Sequence, residues 1–293
     1  MTAITQHIHH LACPLDGTAF DASGQQLVCT NGHCFDVAKQ GYANLLLVQQ
    51  KASKDPGDSK AMMVARSRFL DKGVYQPIAT RLNELACTQA GLDVVLDAGC
   101  GDGYYLDCLQ QVWPTATTTA FVGLDVSKWA IMAAAKRNAE LVWLVGTNKH
   151  PPLQAATVDL ILAVFGFPCY APFHSILKPN GRLIVVESGP QHLIELREII
   201  YPSIKAHTPT ADVAIPEGFE LAETTALTYQ TESLQHAQIM DLLTMTPHLY
   251  RATQEGKAAA EALSEIQLTV DVVFRTLVAQ PKVVFSPWGQ RTQ

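Results

Sequence analysis

The stretch that decides the fold is Val94-Val-Leu-Asp97-Ala-Gly99-Cys-Gly101-Asp102-Gly103-Tyr104-Tyr105. An apolar run of strand type ends at Asp97, and three glycines follow at alternate positions. Glycine permits positive φ angles and lets backbone N–H groups approach a ligand closely before the next helix begins. The D-x-G-x-G-x-G spacing differs from the G-x-G-x-x-G pattern that binds a pyrophosphate. Asp97 and Asp102 would repel a phosphate, so this segment, whose part Gly99–Gly103 we call the glycine loop, predicts a ligand with an amine or sulfonium group.

A second acid follows the next predicted strand. Asp125 ends the apolar run Phe121–Asp125, and in a Rossmann-like fold an acid at this place binds ribose hydroxyl groups. The glycine loop, the acids and the order of strands resemble the class I S-adenosylmethionine-dependent methyltransferases. The resemblance implies that the ribose is bound by Asp125 and the methionine portion by Asp97, Gly99, Gly101, Asp102 and Gly103. The alternative is an ordinary glycine turn beside strand-terminal aspartates.

The region after Leu92 alternates between apolar runs and amphipathic stretches. Strands are predicted at Val94–Asp97, Phe121–Asp125, Leu141–Val145, Val158–Val164 and Arg182–Glu187. Helical periodicity is present in Ser127–Asn138 and Gln191–Tyr201. Strands separated by helices predict a parallel sheet covered on both faces, so the expected fold is α/β, with a Rossmann-like class I methyltransferase sheet.

The composition is typical of a globular chain. Of 293 residues, 48% are apolar and 16% are charged, which is enough for a full hydrophobic core. The longest apolar run, Leu160–Phe167, is far shorter than the ~18 residues that cross a bilayer, and the N-terminus lacks the pattern of a secretory signal. Seven cysteines, an odd number spread along the chain, fit a reducing compartment. We expect a cytoplasmic protein without a membrane partner.

Three zones divide the chain. Residues 1–37 hold cysteine, histidine, glycine and aspartate with short apolar alternation, as in a small zinc-ribbon-like module. Residues 38–90 are a predicted helical connector, in which the turn Asp55–Ser59 precedes a helix that Ser59 caps. Residues 91–293 are the predicted methyltransferase domain.

Positive charge is concentrated in one segment of the chain. Residues 39–81 carry eight lysines and arginines against three acids, whereas the formal charge of the whole chain is −6. We call these eight side chains the basic strap: Lys39, Lys51, Lys54, Lys60, Arg66, Arg68, Lys72 and Arg81. A basic strap on an acidic body attracts phosphate groups, but a solvated surface helix that bears lysines gives the same count.

The N-terminal zone contains a candidate metal site. The pattern Cys13-x2-Asp16-x12-Cys29-x3-His33 has nearly the spacing of a tetrahedral zinc site built from two short turns, with one thiolate missing. Aspartate also binds zinc through oxygen, and Cys34 could be recruited instead. The alternative is a module that has lost its metal and packs without it.

Further motifs resemble the bacterial 23S ribosomal RNA guanine-N1 methyltransferases over almost the whole chain. They are Cys13-Pro-Leu, Gly32-His-Cys-Phe-Asp36, Lys39-Gln-Gly-Tyr-Ala-Asn-Leu-Leu46, Asp55-Pro-Gly-Asp-Ser59, Gly73-Val-Tyr-Gln-Pro77, Lys178-Pro-Asn-Gly181, Gly189-Pro-Gln-His-Leu193 and Met245-Thr-Pro247. The resemblance implies S-adenosylmethionine-dependent methylation of N1 of a guanine in a 23S rRNA hairpin. It also implies a homodimer with an N-terminal zinc ribbon and an RNA-binding cleft.

The resemblance to this family also assigns individual residues. It implies cofactor contacts at Tyr75, Gly101, Asp102 and His192, and zinc ligands at Cys13, Cys29 and His33. Asp16 stands where the family has its second cysteine. We expect RNA to bind the basic strap and the N-terminal module, which would then be an RNA-recognition module. Without the resemblance, core packing would be expected for Tyr75 and solvent exposure for His192.

A further set of residues concerns the guanine. The run Val164–Tyr170 offers Phe165, Phe167 and Tyr170 either for stacking on an extruded base or for core packing. Guanine N1 carries a proton at neutral pH, so a proton acceptor must come within ~2.6–3.2 Å of it. Asp58 and His192 are permitted candidates, but the sequence selects neither, and the catalytic residues stay unknown.

Two other functions fit the same sequence. One is a class I methyltransferase that acts on a small molecule, with the N-terminal module as a lid or dimer contact. The other is a cofactor-binding protein without transfer activity, which would explain Asp16 and the irregular run Val164–Tyr170. A comparison of ribosomal RNA with free metabolites as methyl acceptors discriminates among these functions.

Overall fold

The computed structural model describes residues 2–89, 91–114, 118–204, 214–246 and 252–281. In these residues the strands are β1 (Phe20–Ser23), β2 (Gln26–Cys29), β3 (Cys34–Asp36), β4 (Tyr42–Asn44), β5 (Val94–Ala98), β6 (Ala120–Asp125), β7 (Val142–Val145), β8 (Val158–Val164), β9 (Leu177–Ser188), β10 (Phe219–Gln230), β11 (Leu234–Gln235), β12 (Glu265–Ile266) and β13 (Thr269–Ala279). The helices are α1 (Ala3–Gln6), α2 (Lys60–Leu70), α3 (Gln76–Ala86), α4 (Tyr104–Val112), α5 (Lys128–Arg137), α6 (Tyr170–Ile176), α7 (Ile194–Ile200), α8 (His236–Met245) and α9 (Gln254–Glu261), with 3-10 turns at Ile8–His10 and Val48–Gln50.

A mixed eight-stranded sheet is the centre of the fold, in the order β10-β13-β9-β8-β5-β6-β7-β4. The pairs from β4 to β9 are parallel, and β5 to β9 cover the five predicted strands. The expectation of a parallel sheet is wrong at the other edge, because β13 lies antiparallel between β9 and β10. Strand β13 is almost wholly buried, so it lacks the alternating pattern that marks a half-exposed strand.

The sheet separates two apolar cores. Neighbouring residues of one strand point to opposite faces. Val95 and Ile184 pack with helices α2 to α5, α7 and α8 on one face. Leu96 and Val185 pack with the N-terminal module and α6 on the other. Both faces are therefore covered, as the sequence predicts.

The predicted helices begin at polar caps. Ser59 Oγ accepts a hydrogen bond from Met62 N at 3.3 Å where α2 begins, and Ser127 Oγ accepts one from Ala130 N at 3.3 Å where α5 begins. Such caps satisfy backbone N–H groups that have no partner in the first turn. Among the residues described, no helix combines the length and apolar character that a bilayer span requires.

The N-terminal zones share these cores with the rest of the chain. Strands β1, β2 and β3 form a small antiparallel sheet, and Leu27 packs in the same core as Leu96. In the predicted connector, β4 adds to the main sheet beside β7, and Phe69 and Tyr75 pack in the same core as Trp143. The boundaries at 37/38 and 90/91 stay predictions, since the three zones pack together.

Candidate active site

A cavity of about 370 Å³ opens at the carboxyl ends of β5, β8 and β9. Asp97, Val164 and Glu187 line it from these three strands, and the glycine loop and helix α2 form further walls. Ligands of open α/β sheets bind at this edge of the sheet. The cavity is therefore the candidate site for cofactor and substrate.

The structure divides the predicted cofactor residues into two groups. Those that line the cavity are Tyr75, Asp97, Gly99, Asp102 and His192. The other three, Gly101, Gly103 and Asp125, are in the glycine loop and at the end of β6 but are not among the lining residues.

Asp97 is a buried acid in the cavity wall. It is 1% exposed, and both of its carboxyl oxygens lack a hydrogen-bond partner among the described residues. Burial, together with the charges of Asp125 and Asp102, raises the pKa of Asp97 to about 8. A buried carboxylate without a partner is unfavourable, and a cationic group would relieve it. The site therefore fits S-adenosylmethionine, whose methionine portion carries an ammonium group.

The glycine loop is held in a conformation that requires its glycines. Gly103 has φ of +78°, and a Cβ atom there would lie 2.5 Å from Cη2 of Trp143. The carboxylate of Asp125 accepts hydrogen bonds from the backbone N–H of Gly101 at 3.0 Å and of Ser127 at 2.8 Å. Each carboxylate oxygen has a second lone pair, so Asp125 can still accept from a ribose hydroxyl.

Two residues that could not be identified from the sequence donate hydrogen bonds to the carboxylate of Asp102. Its Oδ2 accepts hydrogen bonds from Ser67 Oγ at 2.7 Å and from Arg137 Nη2 at 2.6 Å. Arg137 also donates to the backbone oxygen of Asp102. These partners tie the glycine loop to α2 and α5. Spacing alone could not reveal them, because they lie about 35 residues away on either side.

Arg66 covers the glycine loop from α2. Its Nη2 donates to Asp58 Oδ2 at 2.7 Å, and its Cδ lies 3.5 Å from the position of a Cβ on Gly101. The backbone oxygen of Asp58 accepts a hydrogen bond from Ser127 Oγ at 2.6 Å. The turn Asp55–Ser59 is thus joined to the site, but the carboxylate of Asp58 is already in an ion pair.

The aromatic residues of the run Val164–Tyr170 differ in packing and in solvent exposure. Phe165 stacks on His192 with ring centroids 5.8 Å apart, and Tyr75 lies 6.0 Å from Phe165. Tyr170 packs edge-on against Phe219 at 6.1 Å. Phe167, in contrast, is 92% exposed. Of the three aromatic residues considered for a base, Phe167 is the most exposed, and Phe165 is 36% exposed.

Glu187 is a carboxylate in the cavity wall that the sequence analysis does not single out. It ends the buried part of β9, and its side chain is 36% exposed. Arg275 of β13 donates through Nη2 to Oε2 of Glu187 at 2.7 Å. The pairing residue lies on the missed antiparallel strand, so the sequence carried no signal for this pair.

Cys13, Asp16, Cys29 and His33 come together in the N-terminal module. One ligand atom from each lies within 4.8 Å of all the others. His33 Nδ1 is 3.3 Å from Cys29 Sγ, 3.6 Å from Cys13 Sγ and 3.1 Å from Asp16 Oδ2. Ligand atoms around a tetrahedral zinc ion with bonds of ~2.0–2.3 Å are roughly 3.3–3.8 Å apart, so this donor set fits zinc.

Cys34, the alternative ligand, lies outside this cluster. It is exposed on β3, and its Sγ donates to the backbone oxygen of Gly32 at 3.5 Å. Asp16 is held in the cluster by hydrogen bonds from Thr18 and Asn31. These contacts favour Asp16 as the fourth ligand.

The basic strap contains paired and exposed cations. Arg66, Arg68 and Arg81 form ion pairs with Asp58, Asp241 and Glu84. The exposed lysines of the strap are Lys39, Lys51, Lys54, Lys60 and Lys72. The charge available to a phosphate backbone is therefore mainly that of the lysines.

Comparisons with known proteins match both parts of the chain. A family model described as RlmA, N-terminal, a zinc ribbon, matches residues 11–54, and a methyltransferase domain model matches residues 95–181. These matches confirm the predicted class I methyltransferase fold and the zinc-ribbon-like module.

Three relatives are similar over most of their length. A Bacillus subtilis protein named 23S rRNA (guanine-N(1)-)-methyltransferase YxjB is 30% identical over 89% of this chain and 94% of its own. A 23S rRNA (guanine-N(1)-)-methyltransferase of Micromonospora griseorubida is 30% identical over 93% and 97%. The 23S rRNA (guanine(748)-N(1))-methyltransferase of Streptomyces fradiae is 34% identical over 64% and 67%.

Proposed function

This chain belongs to the family of 23S rRNA guanine-N1 methyltransferases, and on that premise we propose how its residues bind S-adenosylmethionine and receive a guanine of a 23S rRNA hairpin. It is an S-adenosylmethionine-dependent enzyme whose substrate is RNA. The observation that carries the proposal is the buried carboxyl group of Asp97 in the cavity wall, which has no hydrogen-bond partner in the part of the chain that the structure describes.

The residues of the cavity divide the cofactor among them. Asp97 binds the ammonium group of the methionine portion, and the backbone of the glycine loop lies along that portion. Asp125, which ends β6 outside the cavity lining, accepts from the ribose. Tyr75 and His192 also line the cavity. When bound, the cofactor supplies an electrophilic methyl group on a sulfonium sulfur.

Glu187 accepts the proton that guanine N1 loses as the new N–methyl bond forms. It is a partly exposed carboxylate in the cavity wall, and Arg275 holds its orientation. The two candidates from the sequence are less suited, because Asp58 is not among the described residues that line the cavity and Nδ1 of His192 accepts a backbone hydrogen bond.

RNA binds around the mouth of the cavity. Phe167, the exposed aromatic side chain next to the cavity-lining Gly166, stacks on a base beside the extruded guanine. The exposed lysines of the basic strap and the N-terminal module contact phosphates. The module binds zinc through Cys13, Asp16, Cys29 and His33. Two chains form a homodimer that binds one hairpin in the cytoplasm.

The test is methyl transfer from labelled S-adenosylmethionine to ribosomal RNA that lacks the modification. We expect incorporation into 23S rRNA and none into 16S rRNA or a metabolite extract. Transfer to the extract alone would favour a small-molecule methyltransferase. Binding of the cofactor without transfer to any acceptor would favour a binding protein.

A further inference from the structure

A second cavity, of about 710 Å³, lies between α2 and α5, and we call it the α2–α5 groove. The two helices run side by side in the same direction. Ser127 Oγ at the start of α5 donates to the backbone oxygen of Asp58 just before α2, and Arg137 at the end of α5 is paired with Asp71 just after α2. The lining follows the i, i+3, i+4 spacing of one face of each helix, with one residue of α4. It consists of Lys60, Met63, Val64, Ser67, Arg68, Asp71, Asp107, Trp129, Met132, Ala133, Lys136 and Arg137.

The middle of the groove is apolar and accessible. Val64 is 45% exposed, and Met132 and Trp129 are half-buried. Trp129 Nε1 donates to Asp55 Oδ2 at 2.9 Å, which fixes the orientation of the indole ring at the end of the groove where both helices begin. Aromatic and thioether side chains pack well against a flat ring. The groove therefore offers a surface for a planar group.

The charge of the groove is positive, in contrast to that of the first cavity. Its lining holds four cations, Lys60, Arg68, Lys136 and Arg137, and two acids, Asp71 and Asp107. Arg68 and Arg137 are in ion pairs, whereas Lys60 and Lys136 are exposed and in no ion pair with a described acid. The lining of the first cavity holds three acids and one arginine. The groove therefore attracts an anion, which the first cavity repels.

A nucleotide combines the two features that the groove fits, a flat ring and a phosphate. Lys60 Nζ lies 5.7 Å from the centroid of the Trp129 ring, so a cation and an aromatic surface are adjacent. Lys136 lies seven residues along α5 from Trp129, which is ~10 Å along the helix. Sites for single-stranded RNA combine aromatic rings, on which bases stack, with cations along the backbone.

The groove lies one helix away from the first cavity. Arg66 and Leu70 of α2 line the first cavity, whereas Ser67 and Arg68 line the groove. A helix with its side chains is ~10–12 Å across. Stacked nucleotides of one strand are ~3.4 Å apart, so a nucleotide roughly three or four positions from the extruded guanine reaches the groove. Lys60 and Arg68 also belong to the basic strap, which makes the groove continuous with the surface proposed for phosphate contacts.

We propose that the α2–α5 groove binds one nucleotide of the substrate RNA, a few positions from the methylated guanine. Its base packs against Trp129, Val64 and Met132, and the phosphates on its two sides bind Lys60 and Lys136. The inference rests on the proposed function and deepens it. It adds a contact with a base, and a lysine of α5 that lies outside the basic strap.

Two substitutions of Trp129 test the stacking, with unmodified 23S rRNA as the probe in filter binding over a salt series. Both lose the hydrogen bond to Asp55, but only Trp129→Ala loses the aromatic ring. We expect Trp129→Ala to weaken RNA binding about tenfold at every salt concentration and Trp129→Phe to stay within about threefold. S-adenosylhomocysteine affinity should stay within about twofold in both, because Trp129 does not line the first cavity. Equal losses in the two variants, or no loss in Trp129→Ala, would overturn the stacking.

A matched pair of lysines on α5 tests the phosphate contacts. Lys136 lines the groove, whereas Lys128, also exposed on the same helix, does not. Lys136→Gln should weaken RNA binding and reduce the slope of log Kd against log salt by about 0.7–0.9, and Lys128→Gln should change it by less than about 0.3. The slope should not change in Trp129→Ala, which removes no charge. Equal slopes in Lys136→Gln and Lys128→Gln would contradict the phosphate contact.

The outcomes separate this inference from the proposed function. If Trp129→Ala does not fold, as thermal melting will show, the lysine pair still decides. Wild-type RNA affinity in both Trp129→Ala and Lys136→Gln would overturn the inference and leave the proposed function standing. If sedimentation then showed that either variant had changed from dimer to monomer, the groove would belong to a second copy of the chain. A wild-type chain that binds 23S rRNA without methylating it would refute the reaction and leave this comparison intact, and one that binds no RNA would refute both.

Discussion

At the scale of single residues, the site depends on carboxyl groups in contrasting surroundings. Asp97 is buried without a hydrogen-bond partner among the described residues, Asp102 is neutralised by Arg137, and Glu187 is partly exposed beside Arg275. Groups of the same chemistry can take different roles when their environments differ in this way. We assign cofactor binding to Asp97 and proton transfer to Glu187.

The raised pKa of Asp97 makes cofactor binding dependent on pH. Burial raises this pKa to about 8, so the free protein holds the proton at neutral pH. The ammonium group of S-adenosylhomocysteine favours the carboxylate, so binding releases a proton and the affinity rises with pH up to about 8. We expect log Ka to increase by up to about one per pH unit between about pH 6 and pH 8.

The control for this titration is Asp97→Asn, measured by calorimetry in buffers of different ionisation enthalpy. The variant should bind roughly 10-fold or more weakly, release no proton and show a flat pH profile. The pH dependence of folding stability has the opposite sign to that of binding. Because the pKa of Asp97 is raised in the folded protein, its contribution to the free energy of unfolding is fully present below about pH 4 and is lost as the pH rises through about 8. A wild-type affinity that does not change with pH would contradict the assignment.

Glu187→Gln and Phe167→Ala should affect different steps, and each is the control for the other. Glutamine keeps an acceptor for Arg275 but is a far weaker base, so we expect kcat to fall about 100-fold or more with RNA affinity unchanged. Removal of the exposed Phe167 ring should weaken RNA binding roughly 10-fold and leave the single-turnover rate on saturating RNA nearly unchanged. Single-turnover kinetics and RNA titrations measure both. A normal rate in Glu187→Gln would refute its role as proton acceptor.

Much of the cavity lining was predictable from residue spacing, but the supporting contacts were not. The glycine loop and Asp97 are adjacent in sequence, so their common location follows from one strand and one turn. Arg137, Arg275 and Asp271 reach the site from distant elements. A sequence pattern contains no information on which distant side chain will neutralise a given acid.

At the scale of elements, two features position the chemistry. Strand β13 brings Asp271 and Arg275 to the end of β9, and the three-stranded N-terminal sheet brings the four candidate zinc ligands together. The spacing predicted the metal cluster because two short turns suffice to bring its ligands together. It did not predict β13, because a fully buried strand shows no alternation.

Metal content tests the N-terminal module. We expect about one zinc ion per chain in protein purified without added metal, near none in Cys29→Ser, and an unchanged content in Cys34→Ser, because Cys34 is exposed outside the cluster. Asp16→Cys should retain zinc. The measurement is elemental analysis after gel filtration. Loss of zinc in Cys34→Ser with retention in Cys29→Ser would contradict the assigned ligands.

At the scale of the whole molecule, charge is divided between a basic strap and an acidic body. The number of charged residues can be counted from the sequence, but the sequence does not show which of them are already in ion pairs. The three arginines of the strap are in ion pairs, whereas its five lysines are exposed. We therefore expect long-range attraction of RNA to depend on the lysines.

Salt dependence of RNA binding tests the strap. Replacement of Lys51, Lys54 and Lys60 by Gln should weaken binding and reduce the slope of log Kd against log salt by roughly 2–3, since each phosphate contact contributes about 0.7–0.9. Lys257→Gln on α9, outside the strap, is the control and should change the slope by less than about one. Filter binding over a salt series provides the slopes. Equal slopes for the triple variant and the wild type would remove the strap from the RNA interface.

The position of the methyl group on the RNA tests the proposed reaction itself. Unmodified 23S rRNA is incubated with the purified chain and S-adenosylmethionine, and then copied by reverse transcriptase, which stops where N1 methylation blocks base pairing. We predict one new stop at a guanine of a 23S rRNA hairpin, and none with Asp97→Asn at a cofactor concentration that saturates the wild type only. A methyl group at any position other than guanine N1, or no methylation by a chain that binds the cofactor, would contradict the account.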